Sequence, residues 1–204
     1  MSRTWSKYIN NNKYSECQLI TALNAYYCLT GKVYCKQDSQ EYEDLVDLVG
    51  ARHGAAIDIE KAWKKLGIEI VWEGFSLLDL KMYAHRQATK TGGKSFLYLP
   101  IDFNNMSSRY RCHSTLIVDY EPRCDAYRIT NFLKHTSPDG WIFGSDLYKY
   151  EDFIDIRDND VYRLFGLKGD KKYKALTRHW QKSSKEWFKT YRDYYKTKCK
   201  ELGI

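Results

Sequence analysis

The sequence predicts an α+β protein, with a helical first half and an antiparallel second half. Three observations carry this. Apolar residues recur at helical intervals between about residues 16 and 66, four short β-rich runs separated by turn-forming pieces follow from residue 96 onward, and no internal repeat or βαβ alternation interrupts the order. With 204 residues and 43% apolar composition, the chain is long enough for one sizeable core.

The elements follow in chain order. Ser15 and Gln18 have capping-box spacing, and Leu19, Ile20, Leu23, Tyr26 and Tyr27 then form a helical apolar set that Thr30-Gly31 stops. A helix over about Glu16 to Leu29 is expected, with Cys17 in its first turn. Ser39 leads a second helix, Gln40 to Val49, carrying Tyr42, Leu45, Val46 and Val49. A third runs from about Asp58 to Leu66 and ends at Gly67. Ile68 to Trp72 is β-branched and reads as a strand, and Leu77 to Gln87 reads as a helix before the polar turn at Thr89 to Gly93. Phe96–Ile101, Ser114–Tyr120, Ala126–Phe132 and Val161–Leu167 read as strands, with turns at Glu121-Pro122-Arg123 and Ser137-Pro138-Asp139-Gly140.

Charge divides the chain. Residues 168–204 hold 12 Lys/Arg against 4 Asp/Glu, a net +8, whereas the first 167 residues carry a net −1. The expected organisation is a domain over 1–167 and a basic, aromatic C-terminal helix over 168–204. In that helix Tyr173, Leu176, Trp180, Trp187, Tyr191, Tyr194, Tyr195 and Leu202 form a stripe between about Lys171 and Leu202. Such a stripe docks on its own domain or on an assembly partner, and its lysines with its aromatics also suit nucleic acid. No stretch approaches the roughly 18 apolar residues of a membrane span, and Met1-Ser2-Arg3-Thr4-Trp5 lacks the apolar run of a signal peptide. The expectation is a cytoplasmic protein with no membrane partner.

Six cysteines are too sparse for a disulfide scaffold and include no C-x-x-C pair, so reduced thiols and no metal are expected. The set Cys112, His113, Cys124 and His135 lacks zinc-site spacing. Gly93-Lys94-Ser95 resembles the end of a phosphate loop, but Ala88 stands where that loop needs glycine. His53 reads as a solvated helix-to-loop residue.

Cys17 is different because of its position. A thiol attacks a carbonyl as thiolate, and the first turn of a helix offers a dipole and free N–H groups to that charge. Of the five histidines, only His113 heads a convincing strand. If the following turn centres near Arg123, residue 131 falls opposite residue 115, on the face that carries His113, and Asn131 can then orient the imidazole. For an oxyanion, the backbone N–H of Cys17 is one donor, and the amides of Asn10, Asn11 and Asn12 are available as a second.

The segment Tyr14-Ser15-Glu16-Cys17-Gln18-Leu19-Ile20-Thr21-Ala22-Leu23-Asn24 resembles the nucleophile helix of papain-like cysteine peptidases. His113-Ser114-Thr115-Leu116-Ile117-Val118-Asp119-Tyr120 and Tyr127-Arg128-Ile129-Thr130-Asn131-Phe132 resemble their histidine and asparagine strands. The compact size is closest to the bacteriocin-processing, double-glycine-leader peptidases. The resemblance spans roughly residues 5 to 165. It implies a papain-like fold, Cys17 as nucleophile, His113 as general base and acid, Asn131 as orienting residue, and Asn11 in the oxyanion hole. Asn11 stands where the family has a glutamine, one methylene longer. Gln18 departs from the glycine or tryptophan often found after the nucleophile. The implied activity is hydrolysis of a peptide or isopeptide bond of a protein substrate through an acyl-enzyme, with no cofactor. The alternative is a non-catalytic assembly protein, for example in a viral particle, that keeps this scaffold and docks through its C-terminal helix.

Overall fold

The structure is a computed structural model that describes residues 4–10, 16–53, 57–74, 97–102, 112–121, 123–132, 136–147 and 162–169, with backbone alone at 71–74, 97–102, 112–113, 147 and 162–164. The chain divides into two units, Met1–Lys168 and Gly169–Ile204. Apart from Gly169, the second unit lies outside the described residues, and so do the expected helix over Lys171–Leu202 and the one over Leu77–Gln87.

The fold is α+β. Helix α1 (Cys17–Thr30) buries Leu19, Ile20, Ala22, Leu23, Ala25 and Tyr27, more than one stripe, so it serves as a core helix covered on several sides. Its N-cap position is Glu16 rather than the expected Ser15, and no side chain caps it. Gly31 closes it at φ 78°, donating to Tyr27 O at 2.8 Å from a left-handed conformation that a Cβ would strain. Helix α2 (Gln40–Val49) begins where the Ser39 hydroxyl accepts from Tyr42 N, and it turns Tyr42, Leu45, Val46 and Val49 inward. Helix α3 (Ile59–Leu66) buries Ala62, Trp63 and Leu66.

Six strands form one antiparallel sheet: β1 (Ile68–Gly74), β2 (Leu97–Asp102), β3 (Cys112–Glu121), β4 (Ala126–Thr130), β5 (Trp141–Phe143) and β6 (Tyr162–Leu167). Their order across the sheet is β1-β6-β2-β3-β4-β5. A short helix, α4 (Gly144–Leu147), follows β5; neither was expected from the sequence. The helical layer meets the sheet mainly through α1 on β3, while α3 joins α1, α2 and β1. The Trp63 and Phe165 rings meet at 5.6 Å between α3 and β6. Residues 114–118 of β3 are all buried, as a central strand covered on both faces requires.

Two local features of the β3–β4 hairpin bear on the site. Near the turn, Glu121 pairs with Ala126, Tyr120 with Tyr127 and Asp119 with Arg128; beyond a β-bulge at Val118, Ile117 pairs with Ile129 and Leu116 with Thr130. The turn is thus centred one half-residue past Arg123. An unbroken ladder would have set Asn131 opposite Leu116. The irregularity adds a residue to β3, and the ladder ends at the Leu116–Thr130 pair, one residue before Asn131. Moreover, β4 stops at Thr130 instead of reaching Phe132, because Asn131 turns left-handed at φ 58°, a conformation asparagine tolerates better than most residues.

Candidate functional site

Cys17 is the first residue of α1 and is partly exposed. Three further residues follow it at helical spacing, Thr21, Asn24 and Cys28, so a polar stripe runs down one face of an otherwise apolar helix. The partners of the stripe fix where it faces. The Asn24 amide accepts from Ile9 N and donates to Ile9 O, both at 3.0 Å, and also donates to the Thr130 hydroxyl at 3.2 Å. Cys28 shares a 2.9 Å hydrogen bond with the Tyr8 hydroxyl. Burial first, and then Cys28, pushes the Tyr8 phenol well above its ordinary range, so it stays protonated. Thr21 Oγ1 is buried without a hydrogen-bond partner among the described residues. The face of α1 that bears Cys17 therefore looks toward the N-terminal segment 4–10, which holds a 3-10 turn at Trp5–Lys7, and the end of β4.

At the Asn24 level lies Thr130, which pairs with Leu116 of β3. One turn on, Tyr27 packs on Tyr8 at 5.1 Å, Tyr8 on Trp5 at 5.4 Å, and Arg128 sits 4.4 Å over the Trp5 ring. Cys17 lies about two helical turns before Asn24, roughly 10.5 Å, and His113 lies three strand residues before Leu116, roughly 10 Å along β3.

The face of α1 that carries Cys17 thus meets the end of β4 through Asn24. His113, the second residue of β3, pairs with Ile101 of β2. Asn131 is buried, 6% exposed, at the exit of β4. Asn11 lies outside the described residues, but its neighbour Asn10 is held, its carbonyl accepting from Gln37 Nε2 at 2.7 Å.

Sequence reasoning missed a polar group beside Cys17. The Glu16 side chain is 1% exposed, and its Oε2 accepts from the hydroxyl of Tyr42, itself 1% exposed. Burial, followed by the hydrogen bond and the charge of Glu16, pushes the Tyr42 phenol far above its ordinary range. In the sequence Tyr42 counts as one more apolar residue of α2; its hydroxyl becomes meaningful only when α2 packs beside the start of α1. Asn24 carried a faint signal, as a polar residue in a buried helix seven positions after Cys17.

Among the described residues the other thiols differ from Cys17: Cys28 and Cys35 are buried and Cys124 is exposed, all reduced. Burial, with the Glu41 charge second, pushes the Cys35 thiol up to about 11, which makes it a poor nucleophile. Among the described residues, no group of His, Cys, Asp and Glu is arranged to hold a metal ion, and no helix is long and apolar enough to cross a membrane.

No family model matches this chain, and none of the curated proteins is significantly similar to it.

Proposed function

We propose that the protein is a thiol hydrolase of papain-like type that cleaves a peptide or isopeptide bond of a protein substrate through an acyl-enzyme on Cys17. One observation supports the reading: Cys17 opens α1 on the face whose Asn24 bonds Thr130 at the end of β4, the strand paired with the β3 strand that carries His113. In this reading His113 takes the thiol proton, and Cys17 Sγ attacks the carbonyl carbon. The tetrahedral oxyanion draws on the backbone N–H of Cys17 and the Asn11 amide. Collapse expels the amine, which takes the proton from His113, and water then releases the acid by the reverse path. Asn131 orients the imidazole.

A second reading, a scaffold that assembles without catalysis, draws support from Asn131. Its left-handed backbone at the end of β4 gives asparagine a structural reason to stand there.

Alkylation with iodoacetamide across pH 5 to 9, read cysteine by cysteine by mass spectrometry, separates the two. Cys124 is exposed and serves as the internal comparison. Hydrolysis requires Cys17 to label faster than Cys124 well below pH 8 and to lose that advantage in His113→Ala. Profiles of Cys17 and Cys124 that superimpose would remove the catalytic reading and leave the scaffold.

A further inference from the structure

The group that joins α2 to the start of α1 also reaches the other side of the candidate site. Gln37, just ahead of α2, holds the Asn10 carbonyl at 2.7 Å, and Tyr42, in α2, donates its hydroxyl to Glu16. Only five residues, 11–15, separate Asn10 from Glu16, and Cys17 comes next. Two hydrogen bonds from one stretch of chain thus tie both ends of the short segment that leads into the candidate nucleophile. Its anchor is firm: Tyr42 and Glu16 are each 1% exposed, and the first backbone hydrogen bond of α1, Ile20 N to Glu16 O at 2.9 Å, closes on the same residue.

We infer that Tyr42 and Gln37 are positioning residues, a clamp that holds Asn10 and Glu16 at a fixed separation and so sets the first turn of α1, and with it the direction of the Cys17 thiol. The effect on Cys17 rests on the reading of Cys17 as nucleophile; the clamp itself does not. Helix α1 needs such a device because Glu16 offers no side-chain cap, so its first turn lacks the usual local closure. A hydrogen bond from an adjacent helix takes that role. Because the Tyr42 phenol stays protonated, it remains a donor at every pH at which the fold persists near neutrality.

The test compares the full chain with Tyr42→Phe, which keeps the buried ring, and with Gln37→Met, a partly exposed position where folding is not at stake. Amide hydrogen exchange at Ile20 reports the first turn of α1, and exchange at Leu45 reports the body of α2. Both variants should speed exchange at Ile20 on the order of tenfold or more, the scale of one lost buried hydrogen bond, while Leu45 changes little. Iodoacetamide labelling of Cys17 should slow in both and lose part of its pH dependence. Unchanged exchange at Ile20, or acceleration equal at Ile20 and Leu45, would overturn the clamp. Faster exchange at Ile20 with Cys17 labelling unaltered would overturn the positioning role. If wild-type Cys17 labels as an ordinary thiol, the hydrolase reading fails, and the clamp is then decided by Ile20 alone.

Discussion

Asn24, midway along α1, donates a 3.2 Å hydrogen bond to the hydroxyl of Thr130, the last residue of β4. This contact ties the helix that begins at Cys17 to the strand that ends at Asn131. It also holds Ile9, so one side chain locks helix, sheet and N-terminal segment together. The stripe Cys17, Thr21, Asn24 and Cys28 takes its direction from it.

Replacing Asn24 by leucine keeps the volume but strands the N–H and C=O of Ile9. The cost should be about 2 to 4 kcal/mol, the sum of two orphaned backbone groups. Urea unfolding checks this, and a loss below about 1 kcal/mol would show that segment 4–10 is held by other means.

Asn131 can be examined with two truncations that differ only in backbone tolerance. Asn131→Gly suits φ 58° and should be more stable than Asn131→Ala by about 1 kcal/mol. Both remove the amide. If that amide orients His113, Cys17 labelling falls equally in the two; labelling that merely follows stability, worse in alanine than in glycine, argues that Asn131 serves the turn alone.

Thr21 carries a buried hydroxyl without a partner among the described residues, four positions after Cys17. Thr21→Val should raise stability by about 1 kcal/mol, since it removes the desolvation cost of that group. A lower urea midpoint would contradict this. Slower labelling of Cys17 in the stabilised variant would mark the hydroxyl as retained for the site at a cost in stability.

Cys35 gives a pH signature. Its thiol is raised from an ordinary value of 9.0 to about 11, so the folded chain keeps the proton that the unfolded chain releases. Stability from this group is fully present below about pH 9 and falls as pH climbs toward 11, with a slope of at most about 1.4 kcal/mol per pH unit. Denaturation of wild type against Cys35→Ala isolates this contribution. Their difference should shrink across that window, and a difference independent of pH would refute the assignment.

Much of this fold was legible in local chemistry. Ser39 and the αL glycines at 31, 50 and 67 punctuate the helices, and the apolar periods of 3.6 and 2 mark helices and strands because burial of one face repeats with the geometry of the backbone. The range Gln40–Val49 for α2 and the existence of β3 and β4 needed nothing more. Strand β5 has only three residues and offers too short a pattern to register. The end of β4 was misjudged because propensity favours Phe132 in a strand, whereas the chain must turn at Asn131.

What the sequence by itself determined is the set of elements and the local setting of Cys17, since capping, periodicity and turn chemistry act over a few residues. The tertiary structure decided the rest. Whether Thr130 pairs with Leu116 or Ile117 depended on a single bulge at Val118, which sequence pattern does not announce. The joining of α1 to β4 depended on Asn24, the placing of the N-terminal segment on the ring cluster from Trp5 to Tyr27, and the role of the Tyr42 hydroxyl on the approach of α2 to Glu16. These are meetings between groups far apart in the chain, and their energies exist only once the layers pack.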